Sequence, residues 1–159
     1  MTKPFSQQVA DYAEIYQKRL RATTKEAVQD TVDLASLTTD DGGRMPVITS
    51  FLRASILAKV GSMPSGVSKP PKTDSDAGEA AAKAAGEAVH ATLIKWDLEG
   101  KFYIGWSAAY ARRIEYGFEG EDSLGRTYNQ QGAGFLRGAT EKWDTTVDAA
   151  AARMRLIIK

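Results

Sequence analysis

The sequence predicts one α+β domain over residues 1–159: an antiparallel sheet of three or more strands, packed by a long N-terminal helix and a C-terminal helix, with two long loops at 61–76 and 117–134. Three observations predict it. Phe51–Val60 alternates, with Leu52, Ala54, Ile56, Ala58 and Val60 on one face, the period of a strand. Lys101–Gly117 runs from Phe102, Tyr103, Ile104 and Trp106, which suit a pleated surface, into a short helix that stops at Gly117. Leu136, Ala139, Trp143, Val147, Ala150, Met154 and Ile157 recur at steps of three and four, the stripe of an amphipathic helix.

Length and composition bound the answer. The chain of 159 residues suffices for one core without staples. Its net charge of +1 gives no whole-molecule field toward nucleic acid or an anionic membrane. With no cysteine it has neither disulfides nor thiolate chemistry, which suits synthesis in a cytosol. The first residues, Met1-Thr2-Lys3-Pro4-Phe5-Ser6, contain no apolar signal region, and no stretch approaches transmembrane length, so neither secretion by a signal peptide nor membrane insertion is expected.

In chain order, Ser6 to about Leu37 carries Val9, Tyr12, Ala13, Tyr16, Leu20, Ala27 and Ala35 near helical spacing. Pro4 and Ser6 suit its start, and Thr23-Thr24 is a candidate bend. This is a packing helix, long enough for one end to project. Thr38–Gly43 is a turn; its paired aspartates lack the spacing of a calcium loop. After the strand Phe51–Val60, on whose mixed face Arg53 is either solvated or an interface contact, Gly61–Asp76 is rich in Pro, Gly and Ser and reads as a loop. Ala77–Ala88 is an alanine-rich helix capped by Asp74 or Asp76, with Gly78 and Gly86 allowing close approach. His90–Trp96, the turn Asp97–Gly100 and Lys101–Trp106 then read as a hairpin. Ser107 is placed to cap the helix that follows, on which Tyr110, Ile114 and Phe118 share a face. Gly117–Gly134, with five glycines among polar residues, is the second loop. The last helix should lie across the sheet, with Arg153, Arg155 and Lys159 complementing its dipole.

Little in the chain points to catalysis. His90 is the sole histidine and has no partners at metal-ligand spacing. Glu115 is either a buried carboxylate with a raised pKa or a paired structural acid. Gly132–Gly138 misses the dinucleotide fingerprint in its spacing and follows no strand. The chain is therefore not expected to be an enzyme, and no cofactor is expected.

Three separated segments carry a resemblance. Pro46-Val47-Ile48-Thr49-Ser50-Phe51-Leu52-Arg53-Ala54-Ser55 is similar to a Pro-Val-Asp-Thr-Gly-x-Leu-Arg-x-Ser motif. Tyr110-Ala111, then Glu115-Tyr116-Gly117, matches a Tyr-Ala motif followed by Glu, an aromatic and Gly. Gly134-Phe135-Leu136-Arg137-Gly138-Ala139 is similar to Pro-Phe-Leu-Arg-Pro-Ala ahead of a final helix. In this order they resemble the small tail-component, tail-completion or neck (head–tail joining) proteins of long-tailed bacteriophages. The chain departs from the motifs at Ile48, Ser50, Gly134 and Gly138.

The resemblance implies a structural virion protein, made in the host cytoplasm, that forms a homo-oligomeric ring, sixfold by expectation, at the tail or neck. Its partners would be further copies of itself and neighbouring neck or tail proteins, with DNA passing through the ring unbound. It marks Leu52, Arg53, Ser55, Tyr110, Glu115, Gly117, Phe135, Leu136 and Arg137 as motif and interface residues, and no catalytic, cofactor or metal residue. The alternative is a nucleic-acid-binding module using Lys59, Lys69, Lys72 and the basic C-terminus, against which the near-neutral charge argues.

Overall fold

A computed structural model describes residues 3–47, 49–67 and 75–159. The first helix, α1 (Phe5–Ser36), runs without a break through Thr23-Thr24. Thr24 Oγ1 donates to Leu20 O at 3.0 Å, so the hydroxyl is satisfied within the unbroken helix. Thirty-two residues make a rod of about 48 Å. Only its second half is clothed: Ala27, Val32 and Ala35 are buried, whereas Phe5, Val9, Tyr12, Tyr16 and Leu20 are exposed. The expected projecting end is the N-terminal one. A turn at 38–44 follows, where Thr38 Oγ1 donates to Asp41 Oδ2 at 2.6 Å and Met45, fully buried, returns the chain to the core.

The expected strand over Phe51–Val60 is a helical turn, α2 (Phe51–Ala54), followed by a shorter strand, β1 (Ile56–Val60). A strand would send Phe51 and Leu52 to opposite faces, and both are buried in one cluster with Ala35, Met45 and Phe135. A single helical turn achieves that, and Ser55 closes it by donating Oγ–H to Leu52 O at 2.7 Å. From Ile56 to Lys59 alternation holds; Val60, at the end of the strand, is exposed instead of facing the core.

His90–Trp96 is not a strand. It continues the alanine-rich helix, α3 (Ser75–Lys95), and Asp97–Gly100 joins helix to strand. Buried Ala82, Val89 and Leu93, with half-buried Ala85, lie three or four residues apart, and that helical stripe prevails over a short alternation that would have required Ile94 inside. Ile94 is exposed. Asp74, one of the two expected caps, lies outside the described residues, as do Lys69 and Lys72 and residues 68–74 of the expected loop; 61–67 has no regular structure, while Ser75 and Asp76 already belong to α3, so the loop ends earlier than expected and Asp76 is inside the helix rather than its cap.

Among the described residues the three-stranded sheet is therefore replaced by two separate two-stranded antiparallel sheets. In the first, β1 pairs with β2 (Phe102–Trp106), with Ile56 opposite Trp106 and Ala58 opposite Ile104. Those four residues pack with Val32 of α1 and Val89 of α3, so one face of the ribbon is covered by helices. The second sheet lies where a loop was expected. After α4 (Ala111–Tyr116), β3 (Gly117–Glu121) and β4 (Thr127–Gln131) form a hairpin. Polar contacts hold it more than burial does, which is why composition reads as loop. At its turn Asp122 accepts the N–H groups of Leu124 (2.9 Å) and Arg126 (3.0 Å) and the Arg126 side chain (2.8 Å). Phe118 thus belongs to a strand and not to the Tyr110–Ile114 helical face.

The single C-terminal helix divides into α5 (Phe135–Thr140) and α6 (Trp143–Ile157). Between them the Lys142 N–H reaches back three residues to Ala139 O, a tighter turn than an α-helix makes. Nor does α6 cross a sheet: it packs along α1. Its small inner face, Thr146 and Ala150, permits close approach, and Arg153 binds Glu26 and Asp30 of α1.

Candidate interface: convergence of the motif segments

The three motif segments meet in one place. Leu52 of the first, Tyr110 and Ile114 of the second, and Phe135 and Leu136 of the third pack in a single cluster around Met45 and Phe51. Ser55 ties the first segment to the end of β2: its carbonyl accepts the backbone N–H and the hydroxyl of Ser107, both at 2.9 Å. Ser107 is therefore a link between segments and not the expected helix cap; α4 starts from Tyr110 with no side-chain cap.

Glu115 joins the second and third segments. Buried at 5 % exposure, it accepts the N–H of Leu136 on Oε2 and of Arg137 on Oε1, both at 2.9 Å. These donors belong to the first turn of α5, which lack partners within their own helix. The carboxylate supplies them with acceptors and places negative charge at the positive end of that helix. Of the two roles open in the sequence, the structural acid is the one this geometry performs.

Gly117 and Gly132 permit the seam between the segments. Gly117 adopts φ 84°, and a Cβ there would stand 2.5 Å from Gln130 O and 2.8 Å from Gly132 N. A Cβ on Gly132 would stand 2.5 Å from Glu115 O. Through this contact Ala133 N–H reaches Ile114 O at 2.7 Å and Gly134 N–H reaches Glu115 O at 3.1 Å.

Of the nine motif residues, Leu52, Ser55, Glu115 and Phe135 are buried and act within the subunit. Arg53 is half-buried on α2, not on a strand, and Arg137 is exposed. Arg53 Nη1 contacts both oxygens of Glu79, at 2.7 and 2.9 Å, while Ser50 Oγ donates to Glu79 Oε2 at 2.7 Å. The Ser50 hydrogen bond first, and then Arg53, hold the Glu79 carboxyl below its ordinary range. This network fastens α3 to the first motif. Ile48, one departure from that motif, lies outside the described residues.

Beside the seam lies a mostly apolar groove of 540 Å³ that sequence reasoning missed. Pro46, Val47, Phe51, Tyr110, Ile114, Phe118 and Tyr128 line it, with Arg53, Arg113 and Gln130 among its polar groups. Phe118 and Tyr128 pack across the hairpin as a tilted pair with ring centroids 5.9 Å apart, and the Arg113 guanidinium lies 4.2 Å over the Phe118 ring. Desolvation raises the Tyr110 pKa. Once 117–134 is read as a loop, its aromatics cannot be given a face; alternating Phe118, Gly120 and Tyr128, Gln130 is the signal that was there.

Other weighed residues separate from this site. His90 is on α3, its Nδ1 3.0 Å from Gln29 Oε1. Among the basic candidates for nucleic acid, Arg153 is engaged with two acids of α1, while Lys59, Arg155 and Lys159 are exposed and dispersed over β1 and the C-terminus. Among the described residues no group of His, Cys, Asp and Glu is arranged to hold a metal ion, and no helix is long and apolar enough to cross a membrane. Neither a family model, nor a characterised protein, nor a solved structure matches the chain.

Proposed function

We propose that the chain is a structural virion protein of a tailed bacteriophage, a subunit of a homo-oligomeric ring at the tail or head–tail neck that helps complete or join the tail. The observation that carries this reading is the convergence of the three motif segments. The motifs were joined only by their order in the sequence, and order alone requires no contact. Leu52, Tyr110, Phe135 and Leu136 nevertheless share one cluster, and Glu115 of the second segment holds the third by two hydrogen bonds.

The role is geometric rather than enzymatic. A rigid core presents a projecting helix and an aromatic groove, the kind of surface from which subunits build closed assemblies. The ring would stand against neighbouring neck or tail proteins, and sixfold symmetry follows from the resemblance. Electron microscopy of the virion, with this subunit located by labelling, tests the reading. The expected result is a closed ring of copies at the neck or tail. A virion without the chain, or copies placed elsewhere in the particle, would overturn it.

A further inference from the structure

The described residues leave an apolar stripe on the projecting half of α1 open to solvent. Phe5, Val9, Tyr12, Tyr16 and Leu20 are 79, 50, 67, 58 and 55 % exposed. At 3.6 residues per turn they fall within about 80° of the helix circumference. The steps from Phe5 to Tyr16 are four, three and four, the spacing of a seam that packs against another helix. A monomer rarely leaves such a face to solvent without using it.

Charge is segregated from this face. On the same helix Asp11, Glu14, Lys18 and Arg21 lie within about 80° on the opposite side. Two ion pairs run along that back, Lys3 with Asp11 and Glu14 with Lys18, both at 2.6 Å. Arg19, at the flank, is turned to the subunit's own C-terminus, where its Nε donates to Ile158 O at 2.8 Å. The stripe therefore offers no charge for an oppositely charged partner to select. For the same reason it meets its own copy without like-charge repulsion.

Area supports the same occupant. At their exposures the three aromatics leave about 300–500 Å² open, given 150–250 Å² for each ring-bearing side chain. Val9 and Leu20, each half exposed, raise the stripe to roughly 500–600 Å². Two stripes face to face then cover about 1,000–1,200 Å², the lower end of specific interfaces.

The fold sets the direction of pairing. Ala27, Leu34 and Ala35 continue the stripe on the same side of α1, and there they are covered by the rest of the subunit. Parallel helices would bring two such bodies together at one level on the side of the seam. Antiparallel helices avoid this, because each begins at Phe5 about where its partner's stripe ends at Leu20, some 22 Å along. That register sets Phe5 against Leu20 and Val9 against Tyr16, a larger side chain facing a smaller one.

We infer that two copies of the free chain pair antiparallel through their α1 stripes, with Tyr12 beside the two-fold axis. The same surface serves on both copies, so the contact closes on itself as a dimer. It goes beyond the ring reading and does not depend on it.

The absence of cysteine from the chain makes a direct test available. Phe5→Cys, Tyr12→Cys, Leu20→Cys and Glu87→Cys chains are prepared, all at exposed positions, and circular dichroism verifies that each folds. On oxidation Tyr12→Cys should give about tenfold more disulfide-linked homodimer than Glu87→Cys, which lies on α3. A mixture of Phe5→Cys and Leu20→Cys should give mixed dimers about tenfold in excess of either homodimer. Sedimentation of the unmodified chain should show a dimer. Tyr16→Asp, which buries a carboxylate twice in each pair, should raise its dissociation constant by about a hundredfold or more. Phe5→Cys homodimers in excess over the mixed species would mean parallel helices and overturn the inference. A dimer unaffected by Tyr16→Asp overturns it too, by placing the contact elsewhere. So does a chain that stays monomeric at all concentrations, whether or not it floats with phosphatidylcholine vesicles. None of these outcomes bears on the ring in the virion, which microscopy tests separately.

Discussion

The Glu115 carboxylate reaches forward to the N–H of Leu136, 2.9 Å away, and caps a helix that begins beyond an entire hairpin. Its second oxygen takes the N–H of Arg137 at the same distance. One buried acid thus fixes where the chain re-enters the core after β3 and β4.

Removing that acid leaves two helix N–H groups without acceptors in a buried setting. Glu115→Ala should cost about 2–4 kcal/mol, from two charge-assisted hydrogen bonds and the unsatisfied donors left behind. Glu115→Gln keeps one acceptor oxygen and should lose about half as much. Denaturant titration of both variants checks the order and the sizes.

The glycines should divide by location. Gly117→Ala places a Cβ against the Gln130 carbonyl at φ 84°, and the backbone strain alone costs about 1–3 kcal/mol. Gly78→Ala drives α3 off the chain at Thr49 O and should also destabilise. Around Gly86, in the same helix, nothing lies within 4 Å of the Cβ position, so Gly86→Ala should stabilise by about 0.5–1 kcal/mol. Thermal melting of the three variants reads all the signs together.

The apolar stripe of the last segment gives Trp143 a central place and, if fully buried, a truncation cost of about 3–5 kcal/mol. Instead Trp143 is the first residue of α6 and is 40 % exposed. Trp143→Ala should therefore cost only about 1–2 kcal/mol. The larger loss of about 3–5 kcal/mol belongs to Phe135→Ala. Phe135 is buried and packs edge-on against Trp106 with ring centroids 5.1 Å apart. Equilibrium unfolding in denaturant distinguishes the two costs.

The hairpin turn should resist acid. The Arg126 side chain first, then the backbone N–H groups of Arg126 and Leu124 and the Tyr128 hydroxyl, hold the Asp122 carboxyl at about 2. Its pKa is lower in the folded chain than the ordinary Asp value of about 3.9, so its contribution to stability is present above that value. It is lost as the pH falls from about 4 through about 2. Carboxyl carbon shifts measured by NMR should place the Asp122 midpoint near the lower figure, and Asp122→Asn should remove the acid-dependent component while loosening the turn.

Periodicity located the helices where it was long. Pro4 and the stripe from Val9 to Ala35 define α1, and Val147, Ala150, Met154 and Ile157 define most of α6. The strand signal held at Ile56–Val60 and Phe102–Trp106, where β-branched and aromatic residues alternate over a ribbon covered on one face. It failed at Phe51–Ala54 and His90–Trp96, because a few alternating residues fit either geometry and the choice belongs to what packs around them. The hairpin at 117–131 was hidden for a different reason: hydrogen bonds to Asp122 and a close glycine contact stabilise it, and neither has a hydrophobic period.

The sequence by itself determined the α+β class, the two terminal helices, the β1 and β2 segments and the three motif segments, since each depends on residues close together in the chain. Only the tertiary structure decided that two small sheets replace one, that α6 lies on α1, that Glu115 serves the third motif, and that the aromatic stripe of α1 remains uncovered. The physical reason is the same in all four cases. A side chain's periodicity states which face seeks burial, but the partner that buries it, or its absence, depends on residues distant in sequence. Large aromatics in the first half of α1 and alanines in the second mark the difference in retrospect: Ala27 and Ala35 are buried where elements pack closely, and Tyr12 and Tyr16 are exposed among the described residues.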